Sequence, residues 1–98
     1  MSYLYVVLTP EQADGHMVTS VFTTLPAAEA FIAKNPQLGA CVQGEPVHGN
    51  YQSPAKVFAA HNYLAHSDTF DFVGLYSDSD AANEAGGEPS RTTSHDPK

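Results

Sequence analysis

The chain reads as a small α+β domain: an antiparallel or mixed sheet of four or five strands, with one amphipathic helix and one short helix. Three observations lead there. The chain has 98 residues, enough for one modest core and too few for two independent domains. Short runs of β-branched and aromatic residues recur along it, punctuated by Gly, Pro and polar clusters. Between two of these runs the apolar spacing turns helical, with a capping residue in front.

Residues 3–8 (Tyr-Leu-Tyr-Val-Val-Leu) predict a first strand that ends at Thr9-Pro10. Tyr3, Tyr5 and Val7 share one face and Leu4, Val6 and Leu8 the other, so both faces are apolar enough for a central strand. A polar connection leads to a second strand at 17–23, giving a hairpin with a loose loop. Thr24 stands where an N-cap belongs, and Pro26 falls in the first turn, where a missing N–H does no harm. Leu25, Ala28, Phe31 and Ile32 then form one helical stripe over 25–34, and Asn35-Pro36 stops it. Phe31 and Ile32 should lie on the sheet.

Residues 38–48 read as a third strand, weakened by Gly39, Gly44 and Pro46 and so suited to an edge or a bulge. A turn-rich connection covers 49–54. Strands follow at 56–62 and 70–76, and Asp78 can cap a brief helix over 79–85 that Gly86-Gly87 ends. The domain therefore spans 1–87. Residues 88–98 carry Ser, Thr, Pro, His and Asp without an apolar anchor and predict a disordered tail.

The order strand, loop, strand, capped helix occurs at 3–34 and again at 57–85. An offset of 54 lays Tyr3 on Val57, Phe22 on Tyr76, Thr24 on Asp78 and Ala27-Ala28 on Ala81-Ala82. A duplicated hairpin-helix unit and a ferredoxin-like arrangement both fit this order. The second copy has Ala85 and Gly86 where the first has Phe31 and Ile32, so its helix should cover little sheet. A thinly covered face of that kind suits a second copy of the chain or another protein.

The segment Val57-Phe58-Ala59-Ala60-His61-Asn62-Tyr63, the strand Phe72-Val73-Gly74-Leu75-Tyr76-Ser77 and Ala81-Ala82 resemble a group of small bacterial and phage domains of unknown function. Ser20-Val21-Phe22-Thr23 and Ala27-Ala28-Glu29-Ala30 resemble the same pattern. Each match covers about thirty residues. The resemblance implies a fold and a phage or mobile-element origin, with no activity attached.

Eleven acids stand against four basic residues, a formal charge of −7. That balance excludes a phosphate-backbone binder and electrostatic docking on an anionic membrane. The single cysteine, Cys41, excludes an intrachain disulfide and fits a reducing, cytoplasmic setting; its apolar neighbours predict a buried thiol. No run approaches the length of a membrane-spanning helix, and the N-terminal segment lacks the basic start of a signal peptide.

Two candidate sites remain. His61, His66 and Asp68, with His48 nearby in sequence, carry imidazole and carboxylate groups of the kind that ligate zinc, in a spacing that matches no strong motif. They would make a metal or small-ligand site. From Asp68 to Glu88 there are six acids and no Lys or Arg. Asp68, Asp71, Asp80 and Glu84, with Tyr63 and Tyr51 in exposed connections, would face a basic protein partner. No nucleophile elbow and no phosphate-binding Gly-rich loop is present, and no motif asks for a cofactor. The sequence therefore favours a non-catalytic acidic protein-binding domain, an inhibitor or adaptor that can self-associate, over a ligand-binding one.

Overall fold

A computed structural model describes residues 3–12, 14–52 and 55–98; Ser53 and Pro54, the end of the expected 49–54 turn, lie outside them. The chain forms β1 (Tyr3–Pro10), β2 (His16–Phe22), α1 (Leu25–Lys34), a 3-10 turn at Pro36–Leu38, β3 (Cys41–His48), β4 (Val57–Leu64), β5 (Thr69–Tyr76), α2 (Ser79–Gly86) and β6 (Ser90–His95). The strands lie in one sheet in the order β2-β1-β3-β5-β4-β6. All neighbours are antiparallel except β3 and β5, which are parallel at Val47↔Leu75 and His48↔Tyr76.

The α+β class and the mixed sheet are as the sequence predicts, but the sheet has six strands. The sixth is the segment expected to be disordered. Ser90–His95 pairs with β4 from Val57↔His95 to Asn62↔Ser90. Its side chains are polar, so its place rests on main-chain hydrogen bonds to a buried central strand.

The helix starts follow the capping chemistry. Thr24 Oγ1 accepts from the Ala27 N–H, and the Asp78 carboxylate accepts from the N–H groups of Asp80 and Ala81. The stripe on α1 is narrower than its spacing suggests: Ala28 is buried, Phe31 and Ile32 are partly buried, and Leu25 is exposed.

Each half of the chain builds the same ββαβ unit. The hairpin partners of β1 and β2 recur in β4 and β5: Tyr5↔Phe22 becomes Phe58↔Tyr76, and Leu8↔Val18 becomes His61↔Phe72. The bulge after Val7 recurs after Ala60, leaving Thr19 and Val73 as the extra residues. The offset is therefore 53 from β1 to β4 and 54 from β2 to β5, so Leu4, not Tyr3, corresponds to Val57. From β3 to β6 it is 50, since Leu8↔Cys41 becomes His61↔Arg91.

The halves meet along two seams related by the same offsets. At one, the Ser77 N–H donates to the His48 carbonyl, beside the short β3–β5 pairing. At the other, the Thr23 N–H donates to the Lys98 carbonyl and the Lys98 N–H to the Val21 carbonyl, each at 2.9 Å. The sheet thus folds over until its outer strand β2 meets the chain just after β6. One core lies inside, formed by Leu4, Val6, Leu8, Val18, Val21, Val47, Val57, Ala59 and Leu75. A second cluster, Val7, Phe22 and Ala28, lies under α1 on the opposite face of β1.

The short second helix does not leave its face bare. It approaches closely instead. Ala82 and Gly86 are buried, and a Cβ at Gly86 would stand 2.7 Å from the His61 carbonyl oxygen. Small residues bring α2 onto the sheet where α1 uses larger ones.

Cys41 corrects another expectation, because it is exposed. It begins β3, which pairs there with Leu8 of β1 but meets β5 only at Val47 and His48, so among the described residues no strand flanks Cys41 on its β5 side. Cys41→Ser is expected to change stability by less than about 0.5 kcal/mol in a denaturant titration, as at other exposed positions.

Candidate functional site

The loops that end the two hairpins come together. Gly15 permits this: its φ is +81°, and a Cβ there would lie 2.4 Å from the Phe70 carbonyl oxygen. Two pairs follow from the approach, and a third lies within the β4–β5 hairpin. The Asp14 carboxylate and His66 Nε2 are 2.9 Å apart. The His16 N–H donates to Asp71 Oδ1 at 2.9 Å. Tyr63 donates its hydroxyl proton to Asp68 Oδ1 at 2.6 Å. The contact with His66, aided by the Gly15 N–H, holds the Asp14 carboxyl below its usual range. The carboxylate of Asp68 pushes the Tyr63 hydroxyl upward.

These pairs dissolve the expected metal cluster. His66 turns to Asp14, Asp68 to Tyr63, and His61 lies within the fold, fully buried. Among the described residues no group of three His, Cys, Asp or Glu side chains is placed to hold a metal ion. His48 lies elsewhere, its ring 5.0 Å from that of Tyr76.

Tyr63 is not in a connection either. It belongs to β4, half-buried, with its ring 5.5 Å from Phe70. Arg91 stands over the other ring, its guanidinium carbon 5.8 Å from the Phe70 centroid. Tyr51 is half-buried against the inner core and donates to the Ala55 carbonyl at 2.6 Å.

The acids divide by role. Asp68, Asp71 and Asp78 each accept a hydrogen bond described above, so each has a local structural task. Asp80, Glu84 and Glu88 do not. Asp80 and Glu84 lie one turn apart on the exposed side of α2, and Glu88 continues the series just beyond its end. Glu84, Glu88, Asn83, Gly87 and Ser90 line an open concavity of about 420 Å³. Among the described residues the ion pairs are Lys56–Asp96, His66–Asp14 and the longer His16–Asp71, and none involves Asp80, Glu84 or Glu88.

Helix stability does not account for this placement. Asp80 in the first turn is favoured by the helix dipole, but Glu84 in the last turn opposes it, and like charges four apart repel. The sequence placed Asp80 and Glu84 in a binding face. It ran the acidic stretch as far as Glu88 but did not set Asn83 and Ser90 beside it, because the chain after Gly87 reads as a tail. The spacing 80, 84, 88 was the available signal.

No protein-family model, curated protein or solved structure matches this chain. What can be said of its class rests on the fold: a small α+β domain made of two ββαβ units. No helix among the described residues is long and apolar enough to cross a membrane.

Proposed function

We propose that this is a non-catalytic protein-binding domain, an inhibitor or adaptor, that presents the acidic ridge of α2 to a basic partner. The observation that carries the reading is the row Asp80, Glu84 and Glu88. It is exposed, takes part in none of the ion pairs among the described residues, and at Glu84 is set against the helix dipole. Such a row raises the encounter rate with a positively charged surface and fixes its register. A cytoplasmic setting fits the lone exposed cysteine. A metal-binding role is not favoured, since His61, His66 and Asp68 are each engaged with different partners.

The test is the triple variant D80K/E84K/E88K with the full chain as bait. Retention of a basic probe such as a lysine-rich peptide should fall at least tenfold relative to the parent. The parent's own binding should weaken steeply as salt rises from low to physiological strength. Circular dichroism melting should show the variant folded. Equal retention by parent and variant would sink the proposal. Light scattering on the same samples reads self-association: a dimer lost in the triple variant would put the ridge in a homodimer contact instead.

A further inference from the structure

His61 occupies the position that Leu8 holds in the other half, and it is the one titratable side chain among the largest fully buried ones. Both of its ring nitrogens are in use. Nε2 lies 3.2 Å from the Val18 N–H of β2 and accepts from it. Nδ1 lies 3.0 Å from the Arg91 carbonyl of β6, which can only accept, so Nδ1 carries the proton. One side chain thus ties β2 to β6 across the seam that Lys98 closes further along. The arrangement requires a neutral imidazole. An imidazolium has no acceptor, and would turn an N–H toward the Val18 N–H.

We propose that His61 is an acid-sensitive latch on this seam: neutral, it holds β2 to β6, and protonated, it lets them part. At the opposite seam the corresponding buried position is Leu8, which cannot take a proton, and the histidine of that seam, His48, is exposed and joins it through its main-chain carbonyl.

The groups around the ring define the balance. The hydrogen bond to the Arg91 carbonyl, Glu11 in the β1–β2 connection and Asp71 on β5 favour the imidazolium; the guanidinium charge of Arg91 on β6 disfavours it. Asp71 is already engaged by the His16 N–H. His95, also on β6, is a second titratable neighbour, held by Thr93 at 2.8 Å. Phe72 covers the ring with centroids 6.0 Å apart. Loss of hydration is the largest influence and lowers the His61 pKa below the ordinary 6.5. The sign follows. Below about pH 6.5 the unfolded chain takes up a proton that the closed form refuses. Stability is full above that pH and falls as pH drops toward the folded value. Parting the seam frees main-chain edges on β2 and β6 that can pair with another strand.

The experiment is amide hydrogen exchange by NMR on the full chain between pH 7.5 and 5, normalised to intrinsic rates, with ¹⁵N shifts of the His61 ring read in parallel. Protection at Val18, Thr23 and Lys98 should fall by up to about tenfold per pH unit below about pH 6.5, where the parted form takes a proton that the closed form refuses, while Ser77 at the opposite seam keeps its protection. The ring shifts should report Nδ1–H at neutral pH. The variant His61→Leu, copying Leu8, should flatten the profile; if it does not fold, the ring shifts and amide profile of the parent still decide the matter. A His61 that titrates without loss at Val18 overturns the latch. So does loss of protection at Ser77 in step with Val18, which would mean global unfolding. A profile that disappears in His95→Gln would assign the response to His95 instead.

Discussion

Deleting residues 90–98 is expected to abolish cooperative unfolding. The truncated chain should give a broad, featureless melt by circular dichroism and poorly dispersed amide signals. A disordered tail could be removed with no such effect, so the experiment separates the two pictures sharply. β6 is the only neighbour β4 has on that side, and β4 contributes Val57, Ala59, Ala60 and His61, all fully buried. Without β6, these main-chain groups would face water along six paired positions. His61 would lose the Arg91 carbonyl, α2 would lose the bond from the Thr92 hydroxyl to Asn83, and β2 would lose Lys98. Each lost contact is worth about 1 kcal/mol or more. Their sum approaches the whole stability of a small domain, about 5–15 kcal/mol. A truncated chain that melts like the parent would show the strand to be dispensable.

Gly86→Ile is the second large effect. Isoleucine is what the first half carries at this position, as Ile32, yet here it should lower stability by about 3 kcal/mol or more. The new Cβ would lie 2.7 Å from the His61 carbonyl oxygen and 2.7 Å from the Ser90 Cβ. One of these is main chain and cannot swing aside, so α2 must lift. A loss of that size lowers the melting temperature of a domain this long by about 12 °C or more. Ala85→Ile, one residue earlier and exposed, is the control and should stay within about 0.5 kcal/mol. Equal melting of the two variants would mean that α2 is not held as closely as Gly86 implies.

The elements with local signals were legible in the residues. α1 carries its cap, its proline and its stripe within ten residues, and its bounds fall where those signals put them. β1, β2, β4 and β5 are short runs of β-branched and aromatic side chains that need no distant partner to be recognised. β6 gave no such signal: Ser-Arg-Thr-Thr-Ser-His has neither alternation nor an apolar anchor. It is a strand because β4 offers an open edge, and that is a property of the fold. The repeat held the clue, since the first half also follows its helix with a strand. His61 was missed for the same reason. In isolation, a histidine at a strand end resembles a ligand; aligned with Leu8 by the hairpin register, it belongs in the interior. The acids of the ridge were legible through Glu88, but not Asn83 and Ser90 beside them, because the recognised elements stopped at Gly87.

The paired bulges give this protein two places inside its strands where the chain can shorten by one residue without reversing a face of the sheet. Thr19 and Val73 are the unmatched residues of β2 and β5, and both are exposed, so most substitutions there should be silent. Removing either residue also leaves the flanking inward residues in phase. Val18 and Val21 both face the inner core although they are three apart, and Phe72 and Leu75 repeat that spacing. With the extra residue gone, the members of each pair would stand two apart, which strict alternation places on the same face, so both would still turn inward. A library of single-residue deletions should therefore find β2 and β5 most forgiving at Thr19 and Val73, with deep losses where a deletion elsewhere in these strands throws the inward residues out of phase.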